Sequence, residues 1–118
     1  MKPGQQSCLF CRILKGEIPA KKVSESESTF AFEDINPQAP THILVIPKKH
    51  IASLAELDPS DSALMGILIT EAAAIAREQM LDAEGYRVVL NCGPSAGQSV
   101  YHIHAHILGG RTLNWPPG

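Results

Sequence analysis

The sequence predicts an α+β domain in which an antiparallel sheet of about five strands packs against one long helix. Two patterns indicate this class. Five short segments rich in β-branched and apolar residues are bounded by turn residues, and one long segment between the third and fourth of them has apolar residues at helical spacing. The chain has 118 residues, 44% of them hydrophobic and 19% charged, which indicates a single folded domain over residues 1–118.

The N-terminal half is predicted to hold a short helix and three strands. Residues 1–7 are expected to form a loose tail, followed by a helix over Leu9–Lys15 that buries Leu9, Phe10 and Ile13 and stops at Gly16. Strands are predicted at residues 23–26, 29–33 and 42–46. The third is a run of apolar and β-branched residues ended by Pro47, which is typical of a central strand.

The C-terminal half is predicted to begin with the long helix. Asp58 has the character of an N-cap, Pro59 suits the first helical position, and Gly85 provides a stop after Leu81. The apolar residues at helical spacing are Leu64, Leu68, Ala72 and Ile75. Strands are predicted at residues 86–91 and 99–108, joined by a glycine-containing loop, and residues 109–118 are expected to form a C-terminal tail.

Charge and composition exclude several classes of protein. Ten Lys and Arg against twelve Asp and Glu give a net charge of -2, so we expect no polymeric nucleic acid as a partner, although a single nucleotide can bind in a pocket. No apolar stretch approaches the about 20 residues of a membrane-spanning helix, and the N-terminus lacks the apolar segment of a secretory signal. Three cysteines disfavour a disulfide framework. We therefore expect a cytoplasmic protein without a membrane partner.

Three of the five histidines alternate within the last predicted strand. Because side chains in a strand point to opposite faces in turn, His102, His104 and His106 are predicted to share one face. The residues between them, Tyr101, Ile103, Ala105 and Ile107, are predicted to pack on the core. A single histidine is usually a hydrogen-bonded structural residue, but three in alternation indicate either a metal cluster or nucleophilic and acid–base chemistry.

The pattern His-x-His-x-His followed by two apolar residues resembles the signature of the histidine triad family of nucleotide hydrolases and transferases. Residues 39–50, 97–102 and 108–118 are similar to one branch, the histidine triad nucleotide-binding proteins. This resemblance implies a HIT-like fold and a homodimer paired through the long helix and a strand. It also implies hydrolysis of purine nucleoside 5'-phosphoramidates, such as adenosine phosphoramidate and other AMP–amine adducts, to the nucleoside monophosphate.

The same resemblance implies catalytic roles for five residues. His104 is expected to be the nucleophile that carries the covalent nucleotide, with its second ring nitrogen held by a backbone carbonyl near His102. His106 is expected to hydrogen-bond the same phosphate, and Ser99 to assist the leaving group. His42 is expected to support or orient the triad. No cofactor is required for this catalysis.

A nucleotide-binding set is implied as well. The backbone N–H groups of Gly97, Gln98 and Ser99 are expected to form a nest for the α-phosphate, and Asn91 to lie near the ribose and phosphate. Asp34 is expected to accept hydrogen bonds from the ribose hydroxyls, since a carboxylate suits a vicinal diol, and Ile35 to pack on the base. Phe10 and Phe32, with Leu9 and Ile13, are expected to complete an apolar purine slot. Without the resemblance these residues would be interpreted as loop, turn and core residues.

Cys8 and Cys11 form a Cys-x-x-Cys pair, for which half a zinc site, a redox pair and chance are all open interpretations. No thioredoxin-like βαβ pattern follows, which counts against a redox role. A zinc site needs two more ligands, and His50 and His102 are the candidates. Some relatives in the histidine triad superfamily hold a structural zinc in this way, whereas many members of the nucleotide-binding branch lack the cysteines and bind no metal there. The resemblance therefore makes a structural zinc one expectation and a metal-free protein the alternative. Cys92 is expected to be a small loop residue.

Two other functions compete with phosphoramidate hydrolysis. One is hydrolysis of dinucleoside polyphosphates, as in the fragile histidine triad branch, which usually has Gln in place of the last triad histidine, here His106. The other is a nucleotide-binding or scaffold protein with little turnover, which predicts that loss of His104 has no consequence in the cell. A metal-storage role for the histidines predicts loss of structure on chelation.

Overall fold

The computed structural model describes residues 8–118, so the loose tail expected at residues 1–7 lies outside the described residues. The expected α+β class is confirmed. Helix α1 spans Leu9–Leu14, and strands β1, β2 and β3 span Lys22–Glu25, Thr29–Glu33 and Thr41–Pro47. Helix α2 spans Ser62–Glu78, and strands β4 and β5 span Tyr86–Leu90 and Ala105–Gly109. Short 3-10 turns occur at residues 54–56, 59–61 and 94–96.

The five strands form one antiparallel sheet in the order β1-β2-β3-β5-β4. The apolar β3 lies at its centre, as its sequence predicts. Alternation along β3 sends Ile43 and Val45 to the core beneath α2, and Leu44 and Ile46 to a second core beneath α1. Both faces of the sheet are therefore covered, and His106 of β5 lies on the α1 side, as does His104 just before the strand.

Helix α2 starts and ends differently from its prediction. Asp58 forms a capping box with Asp61, but residues 59–61 make a 3-10 turn, so the α-helix proper begins at Ser62. It ends at Glu78 rather than after Leu81, because Met80 has a positive φ of 62° that no helix accommodates. The predicted apolar positions pack as expected: Leu68, Ala72 and Ile75 are buried and Leu64 lies against them.

Strand β5 begins at Ala105, six residues later than the predicted start at Ser99. Residues 99–104 run along the sheet without joining its ladder, and the N–H of Ile103 donates to the carbonyl of Ile51 at 2.8 Å. The predicted alternation persists, since Ile103, Ala105 and Ile107 are buried beneath α2. The predicted burial of Tyr101 in the core is wrong, because 47% of its surface is exposed.

Helix α1 also differs in which residues it buries. Phe10, Cys11 and Ile13 are buried, whereas Leu9 is 41% exposed, so its predicted burial is wrong. The N–H of Cys11 donates to Sγ of Cys8, which caps the helix and sets its rotation. No helix within residues 8–118 is long and apolar enough to cross a membrane.

Candidate active site

His104 lies directly before β5 with its ring in the α1-side core. Its Nδ1 donates to the carbonyl oxygen of His102 at 2.8 Å. Because burial lowers the pKa of His104, the ring is neutral at pH 7 and its Nε2 carries a lone pair. The ring packs edge-on against Phe10, with centroids 5.0 Å apart, and Nε2 makes no hydrogen bond to another described residue. This is the state that a nucleophilic imidazole requires.

His106 lies next to His104 on the same face, with ring centroids 4.8 Å apart. Its Nδ1 lies 2.9 Å from Nε2 of His42. Burial, together with the neighbouring His104 and His42, lowers the pKa of His106 to about 4, so this ring is also neutral. Its Nε2 is buried, with no hydrogen-bond partner in the described part of the chain. A buried polar atom without a partner costs stability, so a ligand atom is expected to satisfy it.

A cavity of about 260 Å³ opens in front of these two rings. Its apolar wall contains Phe10, Ile13 and Phe32, and its polar groups are Asp34, Ser99, His104 and His106. Leu9 and Ile35 lie at its edge, and Ile35 is 97% exposed. Most of the predicted nucleotide-binding residues therefore surround one cavity. A flat apolar wall with a carboxylate and two imidazoles suits a nucleotide.

Sequence reasoning missed several residues of this wall. Leu44 faces the cavity because it pairs with Phe32 across β2 and β3, so it could have been found from the alternation in β3. Val100 and the loop residues Ile18, Pro19 and Ala20 also line it, and no sequence pattern indicates them.

Gly97, Gln98 and Asn91 are not among the residues that line this cavity. The amides of Gly97 and Gln98 donate to the carbonyls of Pro94 and Gly93 at 3.1 Å each, so both serve the loop itself rather than standing free for a phosphate. The buried Gln98 side chain donates to the carbonyls of Ala52 and Val100 and accepts from the N–H of Gly93. Gln98 thus braces the loop that presents Ser99.

Asn91 directly follows β4, whose last residue, Leu90, pairs with Ala105. This pairing places the backbone of Asn91 beside the start of β5, near the predicted nucleophile. On the opposite side of the cavity, Asp34 lies with Oδ2 3.4 Å from Nε2 of His42. Its Oδ1 accepts from the N–H of Asn36 at 2.8 Å, which fixes the carboxylate at the cavity edge.

The four predicted metal ligands converge at the base of α1. Nδ1 of His102 lies 3.5 Å from Sγ of Cys8, 3.6 Å from Sγ of Cys11 and 3.2 Å from Nδ1 of His50. Sγ of Cys11 lies 3.2 Å from Nδ1 of His50. Around a tetrahedral zinc ion, sulfur and nitrogen ligands lie about 3.5 Å apart and two nitrogens about 3.3 Å apart. The four donors therefore fit a zinc ion.

The protonation of this cluster also suits a metal. The Nε2 of His102 donates to the carbonyl of Pro47 at 2.8 Å, which leaves Nδ1 unprotonated toward the cysteines. Burial lowers the pKa of His102 to about 4, so the ring stays neutral. Burial and the neighbouring Cys8 raise the pKa of the Cys11 thiol to about 11, so this thiol keeps its proton until a cation replaces it.

Comparison with known proteins agrees with the fold and the histidines. The model of the HIT domain matches residues 15–113 of this chain. A 14 kDa zinc-binding protein of Zea mays is 52% identical over 112 residues, which cover 93% of this chain and 87% of the maize protein. The chain belongs to the HIT family.

Solved structures of HIT proteins superpose closely on this one. A HIT family hydrolase from Legionella pneumophila is 51% identical, with a TM-score of 0.92 over 94% of this chain and 99% of that chain. A histidine triad nucleotide-binding protein from Candida albicans is 34% identical, with a TM-score of 0.80 over 92% of this chain and 82% of that chain. The HIT-like fold expected from the sequence is thus confirmed.

The match to the HIT domain includes all five histidines but not the first helix. Phe10, Cys8 and Cys11 precede residue 15, where the match begins. Helix α1 and the residue before it supply an aromatic wall for the cavity and half of the Cys/His cluster.

Proposed function

We propose that this HIT protein hydrolyses purine nucleoside 5'-phosphoramidates to the nucleoside monophosphate through a covalent nucleotidyl-histidine on His104. The observation that carries the proposal is the pair of imidazoles at the cavity. One presents a lone pair on Nε2 of His104, and the other a buried, unpartnered Nε2 on His106. The high similarity to a HIT family hydrolase supports a hydrolytic reaction.

The cavity suggests how the substrate lies. The purine fits against the apolar wall that Phe10 and Phe32 form together, with their rings in edge-on contact at a centroid distance of 5.5 Å. Asp34 accepts hydrogen bonds from the ribose hydroxyls, and Ile35, exposed at the cavity edge, closes over the base. This pose directs the 5'-phosphate toward His104.

In the first step, Nε2 of His104 attacks phosphorus and forms a P–N bond while the bond from phosphorus to the amine breaks. The attacking nitrogen needs no deprotonation, because the ring is neutral and Nδ1–H is held by the carbonyl of His102. The departing amine takes a proton that originates from solvent and reaches it through the Ser99 hydroxyl at the cavity wall. The carbonyl of His102, which accepts from Nδ1–H, stabilises the positive charge that His104 acquires when Nε2 bonds to phosphorus.

His106 acts on the phosphoryl oxygens. Its Nε2–H donates to a non-bridging oxygen and stabilises the charge that builds up as phosphorus is transferred. The interaction is strong because the group is buried away from water. Ser99, at the other side of the cavity, supplies a second donor.

In the second step, a water molecule attacks phosphorus and the bond to Nε2 of His104 breaks. The water loses a proton to solvent, the nucleoside monophosphate leaves, and His104 returns to its neutral state. Splitting the reaction in two avoids direct attack of water on the anionic substrate.

We also propose that Cys8, Cys11, His50 and His102 hold a structural zinc ion. The donor spacing described above supports this, as does the zinc-binding name of the maize relative. When bound, the metal supplies a cross-link between α1, the segment after β3 and residue 102. Elemental analysis should find about one zinc per chain, lost in Cys11→Ser but not in Cys92→Ser. A metal-free and equally stable wild-type protein would contradict this site.

A homodimer is the third part of the proposal. Strand β4 is an edge of the sheet, and Ile67 and Ile69 on α2 and Tyr86 on β4 are exposed apolar side chains. An edge strand and exposed apolar side chains favour pairing with a second copy. Light scattering should give twice the chain mass of 12.7 kDa. A single-chain mass at micromolar concentration would exclude the dimer.

Steady-state hydrolysis tests the main proposal. Adenosine 5'-phosphoramidate and diadenosine tetraphosphate are compared for the wild type and His104→Gly. We expect fast phosphoramidate turnover, weak polyphosphate turnover, and a loss of at least about 1,000-fold in the variant. AMP binding and the far-UV circular dichroism of the variant control for folding. Faster turnover of the polyphosphate would identify a dinucleoside polyphosphate hydrolase, and AMP binding without turnover would identify a nucleotide-binding protein.

A further inference from the structure

Arg111, on the exposed segment after β5, is joined to the candidate active site by an unbroken series of hydrogen bonds. Its Nε and Nη2 donate to the carbonyl oxygen of Gln38 at 3.2 and 2.9 Å. The N–H of the same Gln38 donates to Nδ1 of His42 at 3.0 Å. Nε2 of His42 lies 2.9 Å from Nδ1 of His106. The series ends at Nε2 of His106, beside the cavity.

The backbone N–H of Gln38 fixes the direction of the hydrogen bond between His42 and His106. A backbone N–H can only donate, so Nδ1 of His42 must accept, and a neutral His42 then carries its proton on Nε2. His42 therefore donates from Nε2 to Nδ1 of His106, the nearer acceptor at 2.9 Å, and the Asp34 carboxylate 3.4 Å from the same nitrogen favours a proton there as well. A neutral His106 must in turn carry its proton on Nε2. The imidazole that faces the cavity is thus a hydrogen-bond donor there.

When the Gln38 N–H moves away, the opposite direction becomes accessible to the two rings, and the Asp34 carboxylate beside Nε2 of His42 is then the remaining group that opposes it. His42 would then protonate Nδ1, accept from Nδ1–H of His106, and leave Nε2 of His106 as an acceptor. An acceptor at this position repels a phosphoryl oxygen instead of binding it. The function of His106 therefore depends on the position of the Gln38 backbone, whose carbonyl is anchored by Arg111.

We propose that Arg111 is a positioning residue: by holding the backbone of Gln38 at its carbonyl it keeps the N–H of the same residue on Nδ1 of His42, which favours the Nε2 tautomer of His42 and makes His106 a donor toward the cavity. The part of this inference that concerns a phosphoryl ligand rests on the proposed function. The tautomers themselves do not, since they are properties of the unliganded protein.

Arg87 provides a matched control. It also donates from Nη2 to a backbone carbonyl, that of Asn114 at 2.8 Å, and it lines the same surface cavity as Arg111. Among the described residues, Asn114 makes no hydrogen bond to His42 or His106. Arg87→Met therefore removes an equivalent charge and contact without touching the series.

The direct test is the protonation of each histidine nitrogen, read from long-range ¹H–¹⁵N spectra of unliganded full-length protein at pH 7. His106 is assigned by comparison with His106→Gln. We expect a protonated Nε2 on His106 in the wild type and in Arg87→Met, and a mixture of both tautomers in Arg111→Met. Arg111→Lys, which keeps the charge and one donor, should retain the wild-type state. A His106 tautomer unchanged in Arg111→Met, or mixed equally in Arg87→Met or Arg111→Lys, would overturn the inference.

Turnover gives a second reading. The kcat for adenosine 5'-phosphoramidate should fall about 5- to 10-fold in Arg111→Met, with KM within about 2-fold, and stay unchanged in Arg87→Met. A rise in KM with an unchanged kcat in Arg111→Met, or an equal loss of kcat in Arg111→Met and Arg87→Met, would count against positioning through His106. If the wild type has no turnover, the proposed function fails, while the tautomer spectra still decide whether Arg111 sets the state of His106.

Discussion

His106 is expected to make the stability of this protein depend on pH, and His106→Asn tests this. Asn is the matched replacement, since its Oδ1 can take the place of Nδ1 and still accept from Nε2 of His42. The variant therefore keeps the internal hydrogen bond and removes only the titrating group.

The magnitude follows from the pKa of His106. It is lowered to about 4 in the folded protein from an ordinary value of 6.5, chiefly by burial. Between these values the unfolded chain binds the proton and the folded protein does not, so stability is lost as the pH falls from 6.5 toward 4. Between pH 7 and pH 5, the difference corresponds to about 2 kcal/mol of free energy of unfolding. Above pH 7 His106 contributes no pH dependence.

Urea unfolding at pH 5, 6 and 7 measures this for both proteins. The free energy of unfolding of the wild type should fall by about 2 kcal/mol more than that of His106→Asn over this range. His42, His104 and the Cys/His cluster remain in both proteins, so their own titration largely cancels in the comparison. If the two proteins lose stability in parallel, His106 titrates at its ordinary pKa and the burial argument is refuted.

Three further predictions concern the leaving group, a tight turn and the metal cluster. Ser99→Ala should slow hydrolysis of alkyl phosphoramidates by about tenfold or more while sparing substrates with good leaving groups, and equal slowing of both would contradict its role as a donor. Gly110 has φ 90° and its added Cβ would lie 2.8 Å from the Pro40 ring, so Gly110→Ala should cost about 2–4 kcal/mol in urea unfolding. Gly16→Ala, at φ 78° in open space, should cost only about 1–2 kcal/mol, and equal costs would show that the Pro40 contact is relieved. Chelation of zinc should lower the unfolding temperature of the wild type but not of Cys11→Ser, and an unchanged wild-type Tm would contradict a structural metal.

The fold was predictable because the apolar residues of the long helix repeat at regular helical spacing and those of the central strand form one continuous run. Leu68, Ala72 and Ile75 repeat at helical spacing, and the apolar β3 could only be a strand buried on both faces. The start of β5 was not predictable, because alternation records which way side chains point and not whether the backbone joins a ladder. Around His102, ring and backbone groups are used by Pro47 and His104, and the ladder starts only at Ala105.

The site was predictable to the extent that its residues lie in recognisable local patterns. The three alternating histidines and the Cys-x-x-Cys pair do: His104 and His106 line the cavity, and His102 lies with both cysteines in the Cys/His cluster. The contact from Arg111 to Gln38 does not, because it joins residues 73 positions apart through a backbone carbonyl that any residue could supply. The rotation of α1, which buries Phe10 and Ile13 in the second core and exposes Leu9, does not follow from apolarity alone, because Leu9 is apolar as well.

The alternation of the triad has a mechanical consequence. Each histidine is flanked by a residue anchored in the core beneath α2, so Ile103 and Ala105 hold the backbone on both sides of His104. On the opposite face His102 is held at three points, its ring by Pro47 and the Cys/His cluster and its carbonyl by His104. The carbonyl that sets the tautomer of His104 thus belongs to the residue with the least freedom to move. An extended segment whose side chains are fixed alternately from both faces can hold a ring nitrogen at a constant position without being part of a long hydrogen-bonded strand. The position of His104 is therefore fixed although the β-ladder begins only at Ala105.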